Sequence, residues 1–97
     1  MAVGDVQSAL SVAVAAGAFV DILPTGTLEW VIHNIYHEND AALQWYDGTN
    51  VIEFDLVTGA HAWVTHNFHV NATRRIRVRN AAGVAQDIGY DGIVTHT

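Results

Sequence analysis

Histidine is the residue type here most ready to do chemistry: six of the ninety-seven residues are His, and His33 and His37 stand four apart in His-Asn-Ile-Tyr-His. Two imidazoles chelate one zinc ion only if their nitrogens, each about 2.0–2.1 Å from the metal, come within roughly 4 Å of each other. A helix brings residues four apart together, whereas a strand spreads them over about 13 Å. Trp30-Val31-Ile32, just before the pair, favours strand. His66 and His69 differ by an odd number and so point to opposite faces of a strand, and His61 is farther from His69 still. No metal site within the chain, and no cofactor, is expected; a site shared about an oligomer axis is what this spacing leaves open. The histidines otherwise read as polar groups on strand faces.

Glu53 and Asp55 are two apart, about 6.6 Å along a strand, which overlaps the separation of glycosidase carboxylates. Ile52, Phe54 and Leu56 alternate with them, so the two acids read as the wet side of an amphipathic strand. Ser8 and Ser11 are the only serines, and both lie in small-residue sequence without a nucleophile elbow. Asp47-Gly48-Thr49-Asn50 and Asp91-Gly92 have turn chemistry and not that of a phosphate cradle. No catalytic residue is expected, and the chain reads as a non-enzyme.

All four arginines fall in Arg74-Arg75-Ile76-Arg77-Val78-Arg79, and lysine is absent. On a strand Arg75, Arg77 and Arg79 project from one face as a comb suited to carboxylates or phosphates. Nucleic acid is disfavoured as a target, because no aromatic interleaves the comb to stack on bases and the rest of the chain is acidic. Pairing with Asp87, or with an acidic neighbouring subunit, accounts for the comb more simply, and guanidinium suits interface contacts. Trp63 shares a face with His61, Thr65, Asn67 and His69 if Ala62, Val64, Phe68 and Val70 turn inward. It would then lie outward near Tyr46, and Trp63, Tyr46 and His61 would form a ligand platform; the simpler role for Trp63 is to anchor a protein interface. Asn71-Ala72-Thr73 matches a glycosylation sequon and reads as chance.

Runs of Val, Ile, Trp, Tyr and Phe alternating with polar residues, cut by Gly, Asn and Asp, must position these groups. The pattern predicts strands near 8–14, 18–23, 28–37, 42–47, 51–57, 61–70, 74–80 and 84–94: an all-β, jelly-roll-like antiparallel sandwich of about eight strands. Residues 1–97 form a single domain, with 1–6 as an extended N-terminal arm. Val6 to Ala16 would also allow a short helix, but the alternation of Leu10, Val12 and Val14 with Ala9, Ser11 and Ala13 decides for strand. Two hairpins follow. One turns at 47–50, placing Trp45 opposite Ile52 and Leu43 opposite Phe54 inward, Tyr46 opposite Val51 and Gln44 opposite Glu53 outward. The other turns at Ala81-Ala82-Gly83, placing Val78 opposite Gln86, Ile76 opposite Ile88 and Arg77 opposite Asp87.

The net charge of −6 disfavours a general role on DNA or anionic lipid. No cysteine is present, which removes disulfides and thiolate sites. The N-terminus lacks the basic region of a signal peptide, and no stretch reaches the roughly 20 apolar residues of a membrane span, so a soluble protein without membrane contact is expected. A domain this small buries only about 60–70% of its unfolded surface, so a sequence 51% hydrophobic favours a homo-oligomer, with a trimer the preferred form. Trp30-Val31-Ile32 puts large apolar groups on both faces of one strand, and a second subunit is one way to cover them.

The opening Met-Ala-Val-Gly-Asp-Val-Gln-Ser, the segment Glu29-Trp-Val-Ile-His-Asn-Ile-Tyr-His-Glu38 and the turn Trp45-Tyr-Asp-Gly-Thr-Asn50 resemble small virion accessory proteins of tailed bacteriophages, of the head-decoration or cement type. The resemblance covers most of the chain. It implies a β-sandwich in the virion that contacts other virion proteins, the major capsid protein or tail proteins, with no catalytic residue to carry over. Arg75, Arg77, Arg79, Trp30 and Trp63 are the candidate interface residues. The alternative is a carbohydrate- or receptor-binding sandwich of the fibre type.

Overall fold

In the computed structural model, which describes residues 2–97, the chain is all β. Among the described residues nine strands run in order: β1 (Val6–Val14), β2 (Phe19–Ile22), β3 (Glu29–His37), β4 (Ala41–Tyr46), β5 (Val51–Val57), β6 (His61–Trp63), β7 (Phe68–Val70), β8 (Arg75–Asn80) and β9 (Gln86–His96). The expected strand 61–70 is split, because Thr65 takes a left-handed backbone (φ 58°) and residues 64–67 leave the ladder. Both pieces still pair with β3. Sheet A therefore runs β1-β9-β3-β6, with β7 beside β6 on β3, and sheet B runs β2-β8-β4-β5. With β6 and β7 taken as one strand, this is the jelly-roll order, first strand beside last and second beside next to last.

In that order almost every connection crosses from one sheet to the other, and β4–β5 is the local hairpin. Its register is the expected one for Tyr46–Val51, Trp45–Ile52 and Gln44–Glu53, and then a bulge at Phe54 sets Leu43 opposite Asp55. Asp55 is thereby turned inward, and Glu53 alone remains outward. The expected β8–β9 hairpin does not form. β8 pairs with β2 and β4, β9 pairs with β1 and β3, Arg77 faces Asp21, and Asp87 accepts a hydrogen bond from the Ala13 N–H. A short glycine-containing loop fits a hairpin or an arch between sheets, and here buried amides fix the arch. Asn80 Nδ2 donates to the carbonyls of Val14 and Val84, while Asn80 Oδ1 accepts from Ala82 N and Gln86 Nε2.

The core lies between the sheets, around Ile22, Ile32, Ile35, Leu43, Val78, Ile88 and Val94. A register shift between Ile32 and Asn34 on β3 lets Trp30, Ile32, Ile35 and His37 all face inward. Val31, outside the core cluster, is also buried within the single chain, so no second subunit is needed to cover either face of β3 at this point. Val6–Val14 is strand, as the alternation predicts. Residues 2–5 do not form an extended arm: the Gly4 N–H donates to the Val94 carbonyl, the Val94 N–H to Asp5, and the segment turns back on β9. Met1 lies outside the described residues.

Candidate functional site

On the outer face of sheet B the three alternate arginines of β8 do project together, while Ile76, Val78 and Asn80 turn inward. They lie flat and do not reach out as a comb. The Arg77 guanidinium is 3.8 Å from the Phe19 ring centroid and 4.4 Å from that of Tyr46, and Arg75 sits 4.6 Å from Tyr46. Asp21 Oδ1 is 3.3 Å from Arg77 Nε and 3.8 Å from Arg75 Nε. Arg79 Nε donates to Glu53 Oε1 at 2.9 Å, and that bond, with one from Gln44 Nε2, holds the Glu53 carboxyl below the usual carboxylate range. The Arg77 side chain is only 15% exposed. Three guanidiniums against two carboxylates leave this face with a small positive excess on an acidic protein. Asp21 and Phe19, the partners that sequence reasoning missed, were marked by their shared parity on β2.

Trp63 is a core residue, 4% exposed, and not part of an outer platform. The kink at Thr65 gives β6 and β7 opposite phase, so Trp63 of β6 and Phe68 and Val70 of β7 all turn inward while Val64 is exposed. Trp63 Nε1 donates to Asp55 Oδ2 at 2.7 Å, and its ring lies 4.7 Å from that of His37. Tyr46 is on the far side of sheet B with the arginines, and His61 remains at the exposed end of β6, so the three residues do not converge. Trp30 is likewise a core residue against Tyr90, with ring centroids 6.5 Å apart.

The histidines do not gather at one point, although the His37 and His61 ring centroids are 6.0 Å apart and the His66 N–H donates to the His33 carbonyl. His33 Nδ1 donates to the His66 carbonyl at 2.9 Å, and His37 Nδ1 donates to that of Asn39. Among the described residues, no group of three or more His, Asp or Glu side chains is placed to hold a metal. Glu53 and Asp55 lie on opposite faces of β5, so they cannot flank one bond.

The outer face of sheet A carries a trough of about 700 Å³, floored by Gly89 and walled by Leu10 and Tyr36. Tyr36 Oη donates to Asp91 Oδ2 at 2.7 Å and Asn34 Nδ2 to Asp91 Oδ1 at 2.6 Å. Binding to that carboxylate is the main cause that raises the Tyr36 hydroxyl pKa above its ordinary value. Ser8 faces the same trough, without a general base bonded to it. Sequence reasoning missed this cluster because the register shift in β3 re-phases Asn34 and Tyr36. A scan against protein-family models and a search of curated proteins each gave no match for this chain.

The largest apolar exposure sits on the free edges of the two sheets. β1 exposes Val6 (77%), Leu10 (64%) and Val12 (69%) on its outer row, and β5 exposes Val51, Ile52, Phe54 and Leu56 at 47–57%. The sequence pattern placed Ile52, Phe54 and Leu56 in the core. They are outside it because β5 is the last strand of sheet B and its bulge breaks the alternation.

Proposed function

We propose that this chain is a non-enzymatic structural protein of the virion, a decoration or cement protein of a tailed-phage capsid that acts through contacts with itself and with the major capsid protein. The observation that carries the contact-forming part is the pair of apolar edge strands, β1 and β5, at edges that no other strand among the described residues covers. Rows of exposed aliphatic side chains on unpaired edges mark interaction surfaces in soluble domains. The carboxylates add support, because they are engaged in holding the fold: Asp21 with arginines, Glu53 with Arg79, Asp55 with Trp63, Asp47 in its turn, Asp91 with Asn34 and Tyr36. The phage assignment rests on the resemblance of the three sequence segments.

A second reading, a carbohydrate- or receptor-binding module, is supported by the trough on sheet A, where an exposed tyrosine ring adjoins an amide and a carboxylate. Cosedimentation with purified tailed-phage capsids separates the two. The structural reading expects saturable binding that is lost on Leu10→Lys or Leu56→Lys and kept on Tyr36→Ala. Absence of capsid binding, together with glycan-array binding lost on Tyr36→Ala, would replace it with the second reading.

A further inference from the structure

β1 hangs beyond the core. It is bonded to β9 along one edge, and β2, the sheet B strand that follows it across the arch, has four residues against its nine. Its outer row is open, and Ala9 on its inner row is exposed as well. Alternate backbone N–H and C=O groups of such an edge point away from the sheet with no partner in the chain. Sandwich proteins commonly protect edges of this kind with charge, proline or a bulge. β5 has two of these devices, the acids Glu53 and Asp55 and the bulge at Phe54. β1 has no charge and no proline in Val-Gln-Ser-Ala-Leu-Ser-Val-Ala-Val, and its own irregularity falls only between Ser11 and Val14, leaving the ladder regular from Val6 to Ser11.

We propose that β1 pairs with β1 of a second copy, antiparallel about a two-fold axis at Ala9, joining the two A sheets into one. The inference deepens the assembly reading and rests on it. Ala9 is the midpoint of Val6–Val12, the stretch before the left-handed Ala13, whose N–H is already taken by Asp87. In this register Val6 faces Val12, Ser8 faces Leu10 and Gln7 faces Ser11, so each outer row meets an outer row. Charge does not oppose it along the ladder. Asp91 sits opposite Ser8 on β9, and three interstrand spacings of about 4.8 Å keep it about 14 Å from its copy, beyond a Debye length of about 8 Å. Self-pairing at β5 would instead put Glu53 and Asp55 of both copies into one ladder. An isologous contact closes at two copies, so the assembly has a dimer, and not the trimer expected from sequence, as its elementary unit.

The chain has no cysteine, so Ala9→Cys introduces a unique thiol. Residues on the axis lie about 4.5–5.5 Å apart between Cα atoms, within disulfide range. Oxidised Ala9→Cys is expected to run as a covalent dimer on a non-reducing gel, and Ile52→Cys on β5 is expected to stay monomeric. Sedimentation velocity should show a concentration-dependent dimer of the wild type that Leu10→Lys abolishes, with the melting transition of Leu10→Lys matching that of the dilute wild type. A chain that assembles but does not cross-link at Ala9, or that cross-links equally at Ile52, overturns the β1 pairing and leaves the assembly reading standing. A chain monomeric at all concentrations also overturns the pairing, and capsid cosedimentation then decides the assembly reading by itself.

Discussion

His37 lies inside the sandwich against Trp63, and burial, the largest influence on it, holds its pKa below the ordinary histidine value. Above about pH 6.5 neither the folded nor the unfolded chain protonates this side chain. As the pH falls through that value the unfolded chain gains a proton that the folded chain resists, so the unfolded state binds more protons and stability declines, until the depressed folded value is passed. His37→Phe should therefore lose less stability than the wild type between about pH 7.5 and about pH 5.5, as read from urea midpoints. Equal losses would contradict this account of His37. Gly92 is a second strict position. A Cβ there would lie 2.1 Å from the Val31 carbonyl oxygen and 2.8 Å from Ile32 Cα, whereas at Gly89 the nearest atom is 3.3 Å away. Gly92→Ala is expected to cost about 3 kcal/mol or more and Gly89→Ala about 1 kcal/mol, measured by chemical denaturation. Neither role was legible beforehand. Gly92 read as part of an Asp-Gly turn and His37 as a polar group on a strand face, because burial depends on which strands lie alongside.

At the scale of the element, strand positions were legible because apolar residues recur with period two between Gly, Asn and Asp clusters. Side-chain direction was legible only as far as the first irregularity. A bulge at Phe54, a shift after Ile32 and the kink at Thr65 each advance the phase by one residue, which turned Asp55 and Trp63 inward against expectation. Pairing of β8 with β9 failed for a different reason. Sequence neighbours usually pair, but in a jelly roll the arches between sheets are held by long-range contacts. Asn80 is the test of that statement, since it is fully buried and bridges the ends of β1, β8 and β9. Asn80→Leu would leave Ala82 N–H and two carbonyls without their partner and Gln86 Nε2 with Asp40 alone, and should cost about 3–5 kcal/mol in denaturant unfolding. A loss below about 1 kcal/mol would mean that the arch is held by other contacts.

For the whole molecule, a closed apolar inner layer and the exposed apolar rows of the edge strands β1 and β5 point in one direction: the apolar core is covered within one chain, and the surplus apolar surface lies where strands can be added. The acidic total and the largely paired arginine ladder, with its small positive excess, fit a body that meets proteins and not polyanions. β1 is the strand that stands open in the free chain and is covered in the assembled one. Amide hydrogen exchange of the peptide spanning Val6–Val12, followed in dilute solution and again on capsid-bound protein, reads this directly. Fast exchange in dilute solution and strong protection on the particle is the predicted result. Identical exchange in both states, with protection appearing elsewhere or nowhere, would contradict it.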